Sequence, residues 1–208
     1  MLLIERNSTV LFQGDSVTDC GRDRNNINSM GNGYPLFVSS IFKARYPELN
    51  VNFINTGISG DTSINLVNRW TADCIQLKPT VVSILIGIND CWRRYDGTKT
   101  TTVEEYKINF KTILERVSEE LKAKIIIIEP FVLPFPTDRI KWREDLDPKI
   151  QAARELAREF EALYIPMDGI FAAASALKPP VFWANDGVHP TYEGHALIAE
   201  TWLNAIKA

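Results

Sequence analysis

Five short apolar segments rich in valine and isoleucine alternate along the chain with longer segments of helical periodicity. Each short segment carries apolar side chains at almost every position, which is typical of parallel strands that are covered on both faces. The short segments predict strands at 9–12, 51–54, 80–86, 125–128 and 163–165. The longer segments predict helices at 34–46, 62–77, 103–121, 146–160, 170–177 and 196–206. Asp61 or Thr62 is expected to cap the second helix and Asp147 the fourth, with Pro190 at the first position of the last.

The alternation of strands and helices restricts the topology. Crossovers between parallel strands are almost always right-handed, so helices come to cover both faces of the sheet. We therefore expect an α/β protein with a three-layer α/β/α, flavodoxin-like doubly wound fold and a five-stranded parallel sheet. The 208 residues contain no linker or internal repeat, and a single domain spanning 1–208 is expected.

Composition argues against several classes of partner. The net charge of −3 provides no basic field for nucleic acid and no polybasic patch for a membrane surface. No apolar run approaches the roughly 18 residues of a membrane span, and the amino-terminal run is too short for a signal peptide. Cys20, Cys74 and Cys91 form no CxxC pair, which indicates free thiols and a cytoplasmic protein.

Four polar segments stand out against this framework: Gly-Asp-Ser at 14–16, Asn-Thr-Gly-Ile-Ser-Gly at 55–60, Gly-Ile-Asn-Asp at 87–90 and Asp-Gly-Val-His at 186–189. Each of the first three directly follows a predicted strand. Ligands in doubly wound folds bind beyond the carboxyl ends of the strands, so these segments are expected to meet at one edge of the sheet.

The segments contain the side chains that ester hydrolysis needs. Ser16 is the candidate nucleophile, and a serine hydroxyl needs a positioned base at neutral pH. His189 has a suitable intrinsic pKa, and Asp186 lies three residues before it, close enough to orient the imidazole. The N–H groups of Ser16 and Gly60 and the side-chain amide of Asn89 are candidate donors to an oxyanion.

These segments resemble the conserved blocks of the SGNH hydrolases, a branch of the GDSL esterases and lipases. The resemblance implies that Ser16 is the nucleophile, that Ser16, Gly60 and Asn89 form the oxyanion hole, and that Asp186 and His189 complete a triad. It extends from about Val10 to His195. One departure is Val17, where the motif that names the family has leucine.

Three longer stretches, 14–22, 57–60 and 86–93, look like those of bacterial acetylxylan esterases of this fold. This closer resemblance implies deacetylation of xylo-oligosaccharides by an intracellular protein that forms homo-oligomers. A small-molecule or oligosaccharide ester is therefore the expected partner.

Aromatic residues flank two of the polar segments. Trp92 and Trp183 are hypothesised to line the substrate pocket, because aromatic faces stack on sugar rings, although core packing explains them equally well. Asp15 and Asp90 are expected to brace the site loops. A surface or helix-start role is expected for His195.

No metal or cofactor is expected. The two histidines, His189 and His195, form no HxH or HExxH pattern, and the cysteines form no pair, so a zinc site is not predicted. Cys20 and Cys91 are interpreted as structural, and the basic pair Arg93-Arg94 as solvated or ion-paired.

Two alternative functions remain open from the sequence. A lipase, phospholipase or thioesterase of the same family would need an apolar lid, for which the segment 130–145 begins apolar but soon becomes charged. A non-enzymatic flavodoxin-like module would bind phosphate at 59–63, before a helix, although Asp61 there would repel the anion.

Overall fold

The computed structural model describes residues 3–208 and contains a parallel sheet with the strand order β2-β1-β3-β4-β5. Met1 and Leu2, part of the short amino-terminal apolar run, lie outside the described residues. The strands are β1 (Thr9–Gly14), β2 (Asn52–Asn55), β3 (Val81–Leu85), β4 (Lys124–Ile128) and β5 (Leu163–Ile165). The predicted α/β fold class is confirmed, and every predicted strand is present within two residues of its expected bounds.

The strands are joined by helices whose bounds are α1 (Ser16–Asp19), α2 (Tyr34–Arg45), α3 (Ser63–Asp73), α4 (Ile88–Tyr95), α5 (Val103–Arg116), α6 (Arg143–Glu159), α7 (Met167–Ser175), α8 (Pro180–Trp183) and α9 (Tyr192–Ala205). Short 3₁₀ turns occupy Pro47–Leu49, Ile75–Leu77 and Thr137–Trp142, and a π turn, Val117–Leu121, continues α5.

Side chains of successive strand residues point into two separate cores. In β1, Val10 and Phe12 pack against α2, α7 and α9, whereas Leu11 packs against α3, α5 and α6. This alternation makes the sheet the middle of three layers. Because β1 lies between β2 and β3, the chain reverses direction across the sheet beside β1, and the carboxyl ends of these three strands open the crevice where such folds bind ligands.

Helix α6 differs from the predicted 146–160. It begins at Arg143, so Asp147 does not cap it and Pro148 lies inside its first turns. A third apolar cluster explains the early start of α6. In it, Trp142, Leu146 and Ile150 are buried together with Ile88 and Cys91 of α4. Burial of this face outweighs the missing N–H of the proline.

The last helix also begins earlier than predicted. Thr191 caps α9, with its hydroxyl accepting from the N–H of Gly194 at 3.1 Å, and Pro190 lies outside the helix in an isolated bridge with Ala184. Thr62 is the N-cap of α3, as one of the two candidates predicted, and the Asn65 side chain accepts from its N–H at 2.9 Å. Helix α4 was not predicted, although Ile88, Cys91 and Tyr95 have helical spacing.

Two fully buried tryptophans provide a matched test of the core. Trp202 in α9 donates its indole N–H to the Ser83 hydroxyl at 3.0 Å, whereas the indole N–H of Trp70 in α3 has no hydrogen-bond partner among residues 3–208. We expect Trp202→Phe to lower the free energy of unfolding by about 1–2 kcal/mol more than Trp70→Phe, because only the first leaves a buried hydroxyl unpaired. Urea denaturation measures both values; equal losses would contradict this account.

Candidate active site

Ser16 occupies the first position of the short helix α1, immediately after β1. The fully buried Asp15 caps this helix, with one carboxylate oxygen accepting from the N–H of Val17 at 3.0 Å. Asp15 therefore braces the turn that carries Ser16, as the sequence predicted.

Ser16, His189 and Asp186 form one continuous hydrogen-bonded chain. The Ser16 Oγ lies 2.9 Å from His189 Nε2, and His189 Nδ1 lies 2.7 Å from Asp186 Oδ2. The other Asp186 oxygen accepts from the backbone N–H groups of His189 at 2.8 Å and Val188 at 3.0 Å. The carboxylate thus fixes both the imidazole and the backbone that carries it.

Asp186 and His189 each stabilise the charged form of the other. Partial burial opposes ionisation of Asp186, but the hydrogen bonds from His189 and Val188 outweigh it and hold the carboxyl pKa well below its ordinary value. The hydrogen bond to Asp186 in turn raises the pKa of His189 above its ordinary value, against the effect of burial. With Nδ1 donating to Asp186, the neutral imidazole has Nε2 free to accept from the Ser16 hydroxyl.

The segment between β2 and α3 carries Gly60 to the same edge of the sheet. Gly60 has φ of +88°, a conformation that glycine adopts without strain. The preceding residue, Ser59, donates both its N–H, at 2.8 Å, and its hydroxyl, at 3.1 Å, to the buried carboxylate of Asp19 in α1. Asp19 therefore ties the Gly60 segment to the helix that begins at Ser16.

Asn89 is the second residue of α4, directly after β3. Its side-chain amide donates to the carbonyl of Asp61 at 2.9 Å, which leaves a second N–H on the same nitrogen. The neighbouring Asp90 is buried and accepts from the N–H of Ser63 at 2.9 Å and from its hydroxyl at 2.6 Å. Asp90 thus braces the start of α3, in agreement with the role predicted for it.

Arg69 in α3 joins the loops beneath the site. Its guanidinium contacts the carboxylate of Asp61 at 2.7 Å and donates to the carbonyls of Thr56 at 2.7 Å and Gly14 at 3.2 Å. Neither Arg69 nor Asp19 is among the site residues predicted from the sequence. Asp19 lies three residues after Ser16 inside the first polar segment, and this proximity was the available signal.

The candidate residues open onto one cavity of about 540 Å³. Its lining includes Ser16, Gly60, Asn89 and His189, together with Trp92. Asp186 lies behind His189, with its side chain about one third exposed.

The two tryptophans hypothesised to line the pocket differ in position. Trp92 borders the cavity, and its ring centroid lies 5.9 Å from that of His189. Trp183 does not line the cavity: it packs edge-on against Phe182 at 4.8 Å, and its carbonyl lies against Gly194. The structure therefore places Trp92, but not Trp183, at the cavity, and substrate contact by either residue stays a prediction.

His195 is not a surface residue. It is 4 % exposed in the first turns of α9, borders the cavity, and its Nδ1 accepts from the N–H of Tyr34 at 3.1 Å. Burial lowers the pKa of His195 to about 4. Its Nε2 lies 3.4 Å from the Cys20 Sγ, and both residues line the cavity.

Arg93 pairs with Asp96, and Arg94 pairs with Asp145, as predicted for this basic pair. Within residues 3–208, no group of three or more His, Cys, Asp or Glu side chains is arranged to hold a metal ion. Over the same residues, no helix is both long and apolar enough to cross a bilayer.

Comparison with known proteins gives a consistent result. The acetylxylan esterase of Geobacillus stearothermophilus is 34% identical over 205 residues, which cover 95% of this chain and 93% of that protein. Its crystal structure superposes with a TM-score of 0.89, covering 99% of this chain and 96% of the other, at 33% identity. A structure from Parabacteroides merdae, assigned to the GDSL-like lipases, superposes with a TM-score of 0.94 at 36% identity, covering 99% and 98%.

Three further structures of the Geobacillus esterase replace a serine, an aspartate or a histidine, and each is described as a catalytic mutant. The model of the GDSL-like lipase/acylhydrolase family matches residues 12–197, a span that contains all four polar segments. The resemblance expected from those segments is confirmed, and the chain belongs to the GDSL-like lipase/acylhydrolase family.

Proposed function

We propose that this protein is a serine esterase that removes acetyl groups from xylo-oligosaccharides or related carbohydrates through an acetyl-Ser16 intermediate. The observation that carries the proposal is the hydrogen-bonded chain Ser16–His189–Asp186, which opens onto a cavity bordered by Gly60 and Asn89. The same three residue types are the sites of the catalytic mutants of the Geobacillus esterase.

In the first half of the reaction, Ser16 Oγ attacks the ester carbonyl while His189 Nε2 accepts the hydroxyl proton. Asp186 stabilises the resulting imidazolium. The tetrahedral oxyanion accepts hydrogen bonds from the N–H groups of Ser16 and Gly60 and from the second N–H of the Asn89 amide. When the intermediate collapses, the bond to the sugar oxygen breaks and His189 returns the proton to that oxygen, which leaves acetyl-Ser16.

In the second half, water takes the place of the alcohol. His189 Nε2 accepts a proton from the water as its oxygen attacks the acetyl carbonyl, and the same donors stabilise the second oxyanion. Collapse breaks the bond to Ser16 Oγ, which recovers its proton from His189. Acetate and the free enzyme are the products, and no cofactor enters the cycle.

Packing of the segment after β4 favours a short acyl group over the lipase alternative. Phe131, Val132 and Leu133 are each at most 4 % exposed and belong to the apolar cores, so they do not form a mobile apolar lid. Trp92 offers a single half-buried indole at the cavity, which suits a sugar ring.

The phosphate-binding alternative meets a different obstacle. The N–H groups of Ser59 and Ser63 that would cradle a phosphate already donate to the carboxylates of Asp19 and Asp90. A bound phosphate would have to displace these anions. The cavity therefore favours an uncharged ester substrate.

We further propose a cytoplasmic location and a homo-oligomeric state. The three free cysteines, of which Cys74 and Cys91 are buried, support a reducing compartment. The oligomer is expected from the resemblance to acetylxylan esterases, and light scattering during gel filtration tests it directly.

The function is tested first by acetate release from acetylated xylo-oligosaccharides, with Ser16→Ala as the matched blank. We expect release by the natural protein and a loss of about 10⁴-fold or more in the variant, with an unchanged melting temperature. Undiminished release by Ser16→Ala would refute the mechanism. Slow release beside fast turnover of octanoate esters would refute the substrate and favour the lipase alternative.

The pH dependence follows from His189. The base must be neutral, and its pKa is raised above the ordinary 6.5, so kcat/KM should increase through a midpoint above that pH. Asp186→Asn removes the acceptor that raises the pKa, so the midpoint should move to lower pH. Nuclear magnetic resonance titration resolves the two histidines, because His195 has a pKa of about 4. A midpoint below pH 6.5 for His189 would contradict the role of Asp186.

Asp19 is expected to act through the Gly60 segment. Asp19→Asn replaces one acceptor oxygen by a donor, so Ser59 loses part of its anchor and the N–H of Gly60 shifts from the oxyanion. We expect kcat to fall about 10- to 100-fold with little change in KM. Asp23→Asn, an exposed change in the same region, is the control. Equal kcat values for both variants would show that Asp19 does not position the loop.

A further inference from the structure

A cationic side chain lies between two indoles beside the catalytic histidine. The guanidinium of Arg139 lies 4.1 Å from the ring centroid of Trp142 and 5.0 Å from that of Trp92. Trp92 is also the ring that neighbours His189. Only 13 % of the Arg139 side chain is exposed, although it is paired with the exposed Asp138.

The same arginine contacts the backbone of the triad segment. Its Nε donates to the carbonyl oxygen of Asp186 at 3.2 Å. The guanidinium therefore contacts one triad residue by a hydrogen bond and approaches another through the indole of Trp92. Two cation–π contacts and a low exposure restrict the motion of this side chain.

The triad segment rests on the chain just before Arg139. The N–H of Leu133 donates to the carbonyl of Gly187 at 2.9 Å. Gly187 has φ of +81°, and a Cβ there would lie 2.1 Å from the carbonyl oxygen of Phe135. The connection from β4 to α6 therefore packs against the backbone between Asp186 and His189 and supports it.

We propose that Arg139 is a positioning residue for the catalytic pair, which holds Asp186 and His189 in line with Ser16 and keeps a positive charge beside them. The proposal rests on the proposed esterase function and adds a residue outside the four polar segments. Arg139 does not line the cavity, so it acts through Asp186 and Trp92.

The charges around His189 give the sign of the effect. Asp186, by its hydrogen bond and its charge, and the buried Asp15 raise the pKa of His189, while Arg139 lowers it. On the cavity side, Arg93 is paired with Asp96. Removing the positive charge of Arg139 therefore leaves the carboxylates less opposed, and the pKa of His189 should increase.

Three substitutions separate the charge of Arg139 from its hydrogen bond. Arg139→Lys keeps the charge but loses the planar fork, Arg139→Gln keeps an amide donor without charge, and Arg139→Met keeps only the stem. With p-nitrophenyl acetate as substrate, we expect Arg139→Met to lower kcat about tenfold with KM within about twofold. Arg139→Lys and Arg139→Gln should each retain more of kcat.

The pH profile is the readout that packing alone would not change. The acid limb of kcat/KM should move up by roughly half a pH unit in Arg139→Gln and Arg139→Met and stay in place in Arg139→Lys. Asp138→Asn, which removes the exposed ion-pair partner, is the control and should match the natural protein. An unmoved limb in Arg139→Gln, or equal kcat losses in all three variants, would overturn the proposal.

Titration of His189 by nuclear magnetic resonance makes the test independent of turnover. The midpoint should increase in Arg139→Gln and remain unchanged in Arg139→Lys. If the natural protein released no acetate from any ester, the proposed function would fail while this titration still decided the role of Arg139. An unchanged midpoint in Arg139→Gln, beside normal turnover, would refute the positioning role alone.

Discussion

The site depends on hydrogen bonds that backbone N–H groups donate to aspartate carboxylates. Asp15 holds the turn at Ser16, Asp19 the segment before Gly60, Asp90 the start of α3 and Asp186 the backbone of His189. Such charge-assisted bonds are stronger than neutral ones and have a restricted geometry. Asp19 and Asp90 thereby join the three sheet-edge loops to one another, and Asp186 fixes the conformation of the segment that carries His189, with no disulfide among residues 3–208.

Burial of Asp15 and Asp90 costs stability, whereas hydrogen bonds hold the pKa values of Asp19 and Asp186 below the ordinary value. Burial raises the pKa of Asp15 to about 7 and that of Asp90 to about 6, against the hydrogen bonds that each accepts. A folded-state pKa above the unfolded value means that the fold binds the proton more tightly. The contribution of each group to stability is therefore greatest in acid and is lost as pH increases through the folded-state pKa. The fold retains these desolvated carboxyl groups because the Ser16 turn and α3 need their acceptors, and a site that sacrifices stability for geometry is common in enzymes.

Local patterns were sufficient to predict the strands and the residues that form the Ser16–His189–Asp186 hydrogen-bonded chain, but not the contacts that support this chain. The strands, the polar segments and the Asp186–His189 spacing are short-range features, and the structure places them as expected. Asp19, Arg69 and Arg139 contact residues far away in the chain, and no periodicity encodes such contacts. The early start of α6 has the same origin, because a third apolar cluster overrides the local signal of the proline.

The tryptophans show why proximity in sequence is a weak guide to position. Trp92 lies three residues after Asn89 in α4, so both project from the same side of the helix toward the cavity. Trp183 lies three residues before Asp186, but its indole packs against Phe182 and does not line the cavity. Helical spacing determines the side of a helix on which a side chain lies. Proximity in sequence outside a shared helix does not determine where a side chain points.

The packing of the connection from β4 to α6 indicates that this connection supports the Asp186–His189 segment. Phe131, Val132 and Leu133 fill the cores, whereas Phe135 and Ile140 are exposed, and the backbone of the connection packs against Gly187. The connection therefore supports the backbone between Asp186 and His189. A displacement of this connection would move His189 and break the 2.9 Å contact between His189 Nε2 and Ser16 Oγ.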